Sequence, residues 1–140
     1  MKLYLSKEII ADNSYTYIRD INLLDIMCDD MEAEEIVVDN FLNQFSYSQF
    51  GQVVNKIVTK LRIGGQITVA EHDIDFLCHG ITTGRLDQQE FNEIVFSGGP
   101  AMSLFKTETV VDLLLQNGLK IDEKTIDSNN LCIVKASRNH

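Results

Sequence analysis

VVNKIVTKLRIGGQITVAE, residues 53–71, is the stretch that decides the fold. From Phe50 to Leu61 the apolar residues recur at the spacing of one helical face, which predicts an amphipathic α-helix. Gly64 and Gly65 are predicted to end this helix, because only glycine enters left-handed backbone geometry at low cost. Residues 66–70 alternate and include β-branched side chains, which predicts a strand. A helix, a glycine pair and a strand form one α/β unit, and the rest of the chain must supply its sheet.

The overall composition indicates a single globular domain over residues 1–140, since 44% of the residues are hydrophobic. The net charge of −9 disfavours direct binding of nucleic acid, because an acidic surface repels phosphates. Three widely spaced cysteines are more typical of reduced thiols in a cytoplasmic protein than of a disulfide framework. No apolar run is long enough to span a membrane, and residue 1 is not followed by a signal-peptide pattern. We therefore expect a cytoplasmic protein that does not interact with membranes.

Outside the opening stretch, the sequence predicts further strands and helices. Asp87 and Glu90 form a capping-box pattern at the start of one helix, and Thr107 and Gly118 bracket another. Strands are predicted at residues 2–5, 15–21, 23–27, 35–38, 119–122 and 131–136, and a helical turn at 41–45. The last two strands are joined by turn-forming residues 127–130, which predicts an antiparallel pair. The predicted fold is α/β, with a Rossmann-like mixed sheet, helices on both faces and a C-terminal antiparallel hairpin.

Three segments occur in an order and at a spacing that resemble a known family. They are EEIVVDNFLNQF at 34–45, LRIGGQITV at 61–69, and FKTET at 105–109 followed by LLLQNGL at 113–119. Together, residues 30–138 resemble the second half of a class I S-adenosylmethionine (SAM)-dependent methyltransferase. In that family a polar tag follows a strand, and a Leu-Lys-Pro-Gly-Gly motif precedes the next one.

The beginning of the chain departs from this family pattern. The family's first strand leads into a glycine-rich loop that approaches the cofactor closely, whereas here residues 2–5 lead into Ser6-Lys7-Glu8, and no glycine precedes Gly51. About ten residues separate the first two strands, which leaves room for at most one turn of helix. The resemblance therefore implies a degenerate and shortened N-terminal region in place of the glycine-rich motif.

The resemblance also implies a set of site residues for SAM. Asp20 is expected to hold the ribose hydroxyls and Asp25 to lie near the adenine, while Ser6 follows the strand that normally leads to the cofactor. Asp39, Asn40 and His72 are expected to face the methyl acceptor. The carboxyl ends of strands in open α/β sheets bind ligands, which predicts that these side chains, together with Glu71, converge at one edge of the sheet. Asp and Asn also end strands and cap turns for purely structural reasons, and that alternative stays open.

A metal site is not expected at residues 71–75. Glu71, His72 and Asp73 are adjacent, and neighbouring residues on a strand point to opposite faces. No second histidine follows at a helical spacing. His72 alone has the ordinary pKa range of a general base.

Two main functional hypotheses follow. In the first, the chain is a methyltransferase-like protein that transfers the methyl group of SAM to an unknown acceptor. In the second, it is a non-catalytic, degenerate copy of the fold that binds a protein partner or assembles with itself as a homo-oligomer. A third option is a relative that handles another nucleotide, or SAM by other chemistry. A viral or mobile-element origin, which composition does not establish, would place the protein in the host cytoplasm.

Overall fold

The structure is a computed structural model, and it describes residues 1–8, 13–97, 101–127 and 130–140. Within these ranges the strands are β1 (Lys2–Ser6), β2 (Thr16–Ile18), β3 (Ala33–Asp39), β4 (Leu61–His72), β5 (Lys120–Ile126) and β6 (Leu131–Ser137). They form one sheet in the order β2-β1-β3-β4-β6-β5. The first four strands are parallel, and β6 runs antiparallel to both β4 and β5. The carboxyl ends of β1, β3 and β4 therefore meet at one edge.

The helices of the described residues are α1 (Leu24–Met27), α2 (Phe50–Thr59), α3 (Ile74–Thr82), α4 (Gln88–Phe96) and α5 (Thr107–Gln116). Short 3-10 helices occupy Ile21–Leu23, Leu42–Gln44 and Tyr47–Gln49. The Asp73 side chain accepts a hydrogen bond from the Phe76 amide and so caps α3. The predicted capping box is confirmed, since Asp87 and Glu90 each accept a bond from the other's amide at the start of α4. No described helix combines the length and the apolar composition that crossing a membrane requires.

The main hydrophobic core lies between the sheet and helices α2 and α5. Ile36 and Val38 of β3 are buried with Ile57 of α2 and Leu114 of α5. The pairing of Ile36 with Ile67 and of Val38 with Val69 places β4 side chains in the same layer. A smaller cluster of Leu77, Leu86 and Val95 joins α3 to α4. These two helices therefore have their own apolar contact beside the carboxyl ends of the strands.

The predicted Rossmann-like α/β fold with a mixed sheet and a C-terminal antiparallel pair is confirmed. The nine residues 7–15 connect β1 to β2, and the two strands are parallel. This is shorter than the ten to twelve or so residues of a usual helical crossover. Residues 9–12, 98–100 and 128–129 lie outside the described ranges, and the last two belong to the predicted turn at 127–130.

The predicted strand at residues 23–27 is wrong. The segment forms the 3-10 helix Ile21–Leu23 and then α1, and it buries Leu24 completely. Asp20 starts this helical segment, because its carboxylate accepts a hydrogen bond from the Asn22 amide at 2.9 Å. The N-terminal cap therefore outweighed an apolar pattern too short to distinguish strand from helix.

The role predicted for the glycine pair is also wrong. Helix α2 ends at Thr59, and Gly64 and Gly65 lie inside β4. Between the pairs Ala33–Leu61 and Glu35–Gln66 the register shifts, so β4 bulges at the glycines. Gly64 has a φ of 83°, and a Cβ on Gly65 would lie 2.9 Å from the Arg62 carbonyl oxygen. Both glycines thus serve the bulge instead of the helix end.

The predicted capping role of Thr107 is also wrong. Lys106 occupies the cap position, and Thr107 is the first helical residue of α5. The hydroxyl and the amide of Thr107 both donate to Asp73 Oδ2, each at 2.7 Å. Thr107 therefore ties the start of α5 to the end of β4. Gly118 follows α5 with a φ of 80°, as predicted for its C-terminal position.

Candidate functional site

A cavity of about 560 Å³ opens at the carboxyl ends of β1, β3 and β4. Its walls come from the ends of these strands, from the segment after β1, from α4 and from the start of β6. The lining residues are Ser6, Lys7, Glu8, Asp39, Asn40, His72, Glu93, Ile94, Ser97 and Leu131. The fold thus brings together four of the six predicted site residues: Ser6, Asp39, Asn40 and His72.

Asp39, the last residue of β3, is held by a tyrosine on the neighbouring strand. The Tyr4 hydroxyl donates a 2.6 Å hydrogen bond to Asp39 Oδ2. Burial of Tyr4, followed by its hydrogen bond to Asp39, raises the pKa of the phenol. Tyr4 therefore stays protonated and acts as a permanent donor, which fixes the orientation of the Asp39 carboxylate.

Asn40 begins the turn after β3 in left-handed backbone geometry, with a φ of 46°. Asparagine tolerates this region better than most residues. Its amide donates to the Ala70 carbonyl at 2.8 Å, and its Oδ1 accepts from Asn43 Nδ2 at 3.1 Å. Backbone and side chain of Asn40 are therefore both held in place at the cavity wall.

Glu71 anchors the same turn from β4. Its Oε1 accepts hydrogen bonds from the Phe41 amide at 3.0 Å and from the Leu42 amide at 2.8 Å. The residue is only 5% exposed, and burial raises the pKa of its carboxyl to about 8. The two backbone bonds and the charge of Lys7 oppose this rise. A buried, titratable group thus lies directly behind the cavity wall.

His72 ends β4 and contacts the residue that precedes β6, its neighbour in the sheet. Its Nδ1 lies 3.3 Å from the carbonyl oxygen of Asn130. Burial lowers the pKa of the imidazole, which favours the neutral form. A neutral ring that donates from Nδ1 to this carbonyl keeps an unprotonated Nε2, and this nitrogen can accept a proton.

Most of the charged side chains that line the cavity are acidic. Glu8 and Glu93 line the cavity together with Asp39, and Lys7 is the basic residue among the lining side chains. Burial lowers the pKa of Lys7, while the carboxylates of Glu71 and Glu8 act in the opposite direction. An excess of carboxylates favours a ligand that carries positive charge.

Asp20 and Asp25 do not line this cavity. Asp20 is an exposed residue two positions after β2, at the carboxyl ends of the strands. It caps the 3-10 helix Ile21–Leu23 by accepting from the Asn22 amide. The Asp25 carboxylate pairs with Lys56 at 3.0 Å and with Lys60 at 2.8 Å. These lysines, Lys60 first, lower the pKa of Asp25. Because Lys60 directly precedes β4, Asp25 lies near the amino end of that strand, and its predicted role beside an adenine stays a prediction.

The sequence reasoning did not name Lys7, Glu8 or Glu93 as site residues. The capping box at Asp87 and Glu90 predicted the start of α4, but not that the helix lies at the carboxyl ends of the strands. No group of three or more His, Cys, Asp or Glu side chains within the described ranges is arranged to hold a metal ion.

Comparison with solved structures shows a shared fold. An O-methyltransferase family 2 protein from Planctomyces limnophilus, in complex with apigenin, matches with a TM-score of 0.60 and 17% identity, over 89% of this chain and 35% of that chain. The magnesium protoporphyrin IX methyltransferase of Synechocystis, with bound S-adenosylhomocysteine, matches with a TM-score of 0.59 and 14% identity. The match covers 89% of this chain and 51% of that chain. The 1,6-didemethyltoxoflavin N1-methyltransferase of Burkholderia thailandensis, which also holds S-adenosylhomocysteine, matches with a TM-score of 0.59 and 10% identity, over 90% and 52%.

These likenesses define the class of fold, which is the Rossmann-like fold of SAM-dependent methyltransferases. The chain spans between 35% and 52% of the length of these three proteins. No protein-family model and no curated protein matches the sequence. The predicted resemblance is thus supported by structure at low sequence identity.

The cavity residues fit the chemistry of SAM. Its sulfonium and ammonium groups are cationic and complement Asp39, Glu8 and Glu93, while its carboxylate complements Lys7. The buried Ser6 is the last residue of β1, the strand from which the resemblance expects the cofactor loop to start, and its Oγ accepts from the Glu8 amide at 3.2 Å. The volume is within the range of small-molecule sites.

Proposed function

We propose that this chain binds SAM in the cavity at the carboxyl ends of β1, β3 and β4 and transfers its methyl group to an acceptor. The observation that carries the proposal is the grouping of Ser6, Asp39, Asn40 and His72 around one cavity in a methyltransferase fold. Open α/β sheets bind their ligands at this edge. The solved neighbours that hold S-adenosylhomocysteine support the same class of ligand.

Each residue has a role that follows from its place. Ser6 and Lys7, at the end of β1, would hold the methionine part of the cofactor, and the exposed Asp20, after β2, would hold the ribose hydroxyls. Asp25 is not given a role in this proposal, because its carboxylate is paired with two lysines.

The bound cofactor supplies a methyl group that is already activated by the positive sulfur. The protein then needs mainly to place the acceptor in line and to exclude water, which is catalysis by proximity. Asp39, oriented by Tyr4, and Asn40 would position the acceptor. His72 Nε2 would take the proton that a protic acceptor releases.

The shortened region between β1 and β2 belongs to this proposal as well. We infer that residues 6–8 replace the glycine-rich loop, since nine residues connect the two parallel strands. The comparisons do not favour the alternative of a non-catalytic assembly module. The acceptor, self-association and cytoplasmic location stay predictions.

Isothermal calorimetry with S-adenosylhomocysteine tests the proposal. The wild-type protein should bind it, and Asp20→Ala should weaken binding at least about tenfold, because a ribose hydroxyl loses a charged hydrogen-bond acceptor. Asp122→Ala is the matched control, since Asp122 is an exposed aspartate on β5 at the opposite edge of the sheet. No heat of binding at millimolar ligand, with the protein folded by circular dichroism, would refute the proposal.

A further inference from the structure

The turn that follows β3 forms one wall of the cavity, and its shape is set from outside the turn. Asp39 and Asn40 line the cavity, while the next two residues, Phe41 and Leu42, are almost fully buried. The amides of Phe41 and Leu42 both point to Glu71 Oε1, at 3.0 and 2.8 Å. A single carboxylate oxygen on β4 therefore satisfies two buried backbone donors immediately behind the wall.

The turn has few other ways to satisfy these donors. Buried amide groups need partners, and no backbone carbonyl accepts from these two amides within the described part of the chain. Asn40 is held in left-handed geometry, which costs free energy in any residue other than glycine. The Glu71 carboxyl therefore stabilises a turn in which Asn40 adopts left-handed geometry.

We propose that Glu71 is a positioning residue, whose carboxyl group holds the turn at residues 39–42 in the shape that presents Asp39 and Asn40 to the ligand. The part of this inference that concerns the ligand rests on the proposed binding of SAM. Glu71 does not line the cavity. Its hydrogen bonds reach the cavity wall through the turn, and its charge also acts on Lys7 and Asp39.

The strength of the two hydrogen bonds from the turn to Glu71 depends on the charge of its carboxyl group. An ionised carboxylate accepts charge-assisted hydrogen bonds that are roughly twice as strong as those to a neutral group. The charged groups that act on Glu71 are Lys7, after β1, and Asp39, at the end of β3. Lys106 and Cys132 border the same small space beside it, and His72 follows it in the chain. We expect the turn to be held more firmly above pH 8 than at pH 6.5.

The Glu71→Gln variant tests this inference, because glutamine keeps a carbonyl acceptor but cannot ionise. At pH 6.5 the variant should bind S-adenosylhomocysteine within about twofold of wild type, since a protonated Glu71 and a glutamine offer similar acceptors. At pH 9 the variant should bind at least about threefold more weakly than wild type. Taking the ratio of the two dissociation constants at each pH removes the titration of the ligand and of every group that titrates alike in the two proteins. A ratio that does not change with pH would overturn the role in ligand binding.

A second measurement does not need the ligand. The amide proton shifts of Phe41 and Leu42, followed by NMR in the free protein, should titrate with a midpoint near pH 8 in wild type. They should lose this transition in Glu71→Gln. Identical pH courses in the two proteins would overturn the positioning role itself. If the amides titrate but the protein binds no S-adenosylhomocysteine, the positioning role of Glu71 would be supported and the proposed function refuted.

Discussion

Tyr4 and Asp39 lie on neighbouring parallel strands and are joined by a 2.6 Å hydrogen bond from the phenol to the carboxylate. The bond lies at the cavity, where Asp39 is a lining residue. A second pair on the sheet has the same chemistry, because the Tyr15 hydroxyl donates to Glu35 Oε1, also at 2.6 Å. Glu35 is not a lining residue of the cavity. The two pairs therefore form a natural comparison between a bond at the site and one away from it.

We predict that Tyr4→Phe weakens binding of S-adenosylhomocysteine by about three- to tenfold, because the loss of one hydrogen bond to a charged group leaves Asp39 free to turn. Both Tyr4→Phe and Tyr15→Phe should lower the free energy of unfolding by about 1–2 kcal/mol. Tyr15→Phe should leave the ligand affinity unchanged. Calorimetry and urea denaturation of the two variants check these expectations. Equal affinities in both variants would show that the orientation of Asp39 does not matter for binding.

Glu71 should also make stability depend on pH. Its pKa is about 8 in the folded protein against an ordinary value of 4.5, so between these values the unfolded chain is ionised while the folded protein holds a proton. The stability that the wild type gains by keeping Glu71 protonated is therefore fully present below about pH 4.5, and it is lost as the pH rises through 8. Glutamine does not titrate. The advantage of Glu71→Gln in unfolding free energy should grow with pH by up to about 1.4 kcal/mol per unit within this window.

Urea denaturation at pH 5, 6, 7 and 8 measures this difference. Glu108→Gln is the control, because Glu108 is an exposed glutamate in the first turn of α5. Curves of Glu71→Gln and wild type that run parallel over this range would contradict the prediction. At pH 9 the variant should be more stable than wild type and yet bind ligand more weakly. A residue that affected binding only through overall stability would change both quantities in the same direction.

Replacing each of two helical glycines with alanine should change the stability of the protein in opposite directions. A Cβ on Gly51, in α2, would have Leu113 Cδ2 at 3.9 Å as its nearest neighbour, which is an ordinary contact. Gly51→Ala should therefore stabilise the protein by about 0.5–1 kcal/mol through helix propensity. A Cβ on Gly80, in α3, would lie 2.5 Å from Arg85 Nη2 and 2.8 Å from Leu86 Cδ1. Gly80→Ala should destabilise the protein by about 1–3 kcal/mol, as overpacked sites do.

The displaced arginine gives this prediction a local consequence. Arg85 Nη1 donates to Asn130 Oδ1 at 2.7 Å, and the guanidinium lies 4.0 Å from the centre of the Phe76 ring. Moving Arg85 should loosen Asn130, whose carbonyl oxygen contacts His72. Thermal denaturation should show a higher melting temperature than wild type for Gly51→Ala and a lower one for Gly80→Ala. Stabilisation by Gly80→Ala would mean that Arg85 and Leu86 move aside at little cost.

Local sequence signals predicted the elements whose determinants are close together in the chain. The capping box of Asp87 and Glu90 and the apolar face of α2 each depend on contacts within a few residues, and both were confirmed. The same signals misplaced the glycine pair. Gly64 and Gly65 lie in a bulge of β4, and the Gly64 amide donates to the Arg138 carbonyl, more than 70 residues away. Short-range patterns carry no information on such pairing.

In the candidate site, too, the features set by local signals were predictable and those set by long-range contacts were not. The rule that ligands bind at strand ends predicted that Ser6, Asp39, Asn40 and His72 would come together, because parallel strands share one edge. The anchoring of the turn by Glu71 joins residues 29 and 30 positions apart, and no periodicity encodes it. The wall formed by Glu93 depends on how α4 packs against the sheet. Tertiary contacts therefore decide the electrostatics of the cavity, although the strand ends were readable from the sequence.

The left-handed residues Asn40 and Met31 provide the last test. Their φ values are 46° and 59°, and Met31 is an exposed residue in the segment before β3, at the amino ends of the strands. Replacing Met31 with glycine relieves the strain of this geometry, so Met31→Gly should be as stable as wild type or more stable by about 1 kcal/mol. In Asn40→Gly the loss of the hydrogen bond from the buried Asn43 offsets this relief, so this variant should be less stable than Met31→Gly by about 1 kcal/mol or more. Asn40→Gly also removes the Oδ1 that accepts from Asn43, and with it the polar group at the cavity wall. Calorimetry should therefore show binding of S-adenosylhomocysteine at least about threefold weaker in Asn40→Gly and unchanged in Met31→Gly, by the loss of roughly one hydrogen bond. Wild-type affinity in a stably folded Asn40→Gly protein would remove Asn40 from the site and leave its left-handed turn as a structural feature alone.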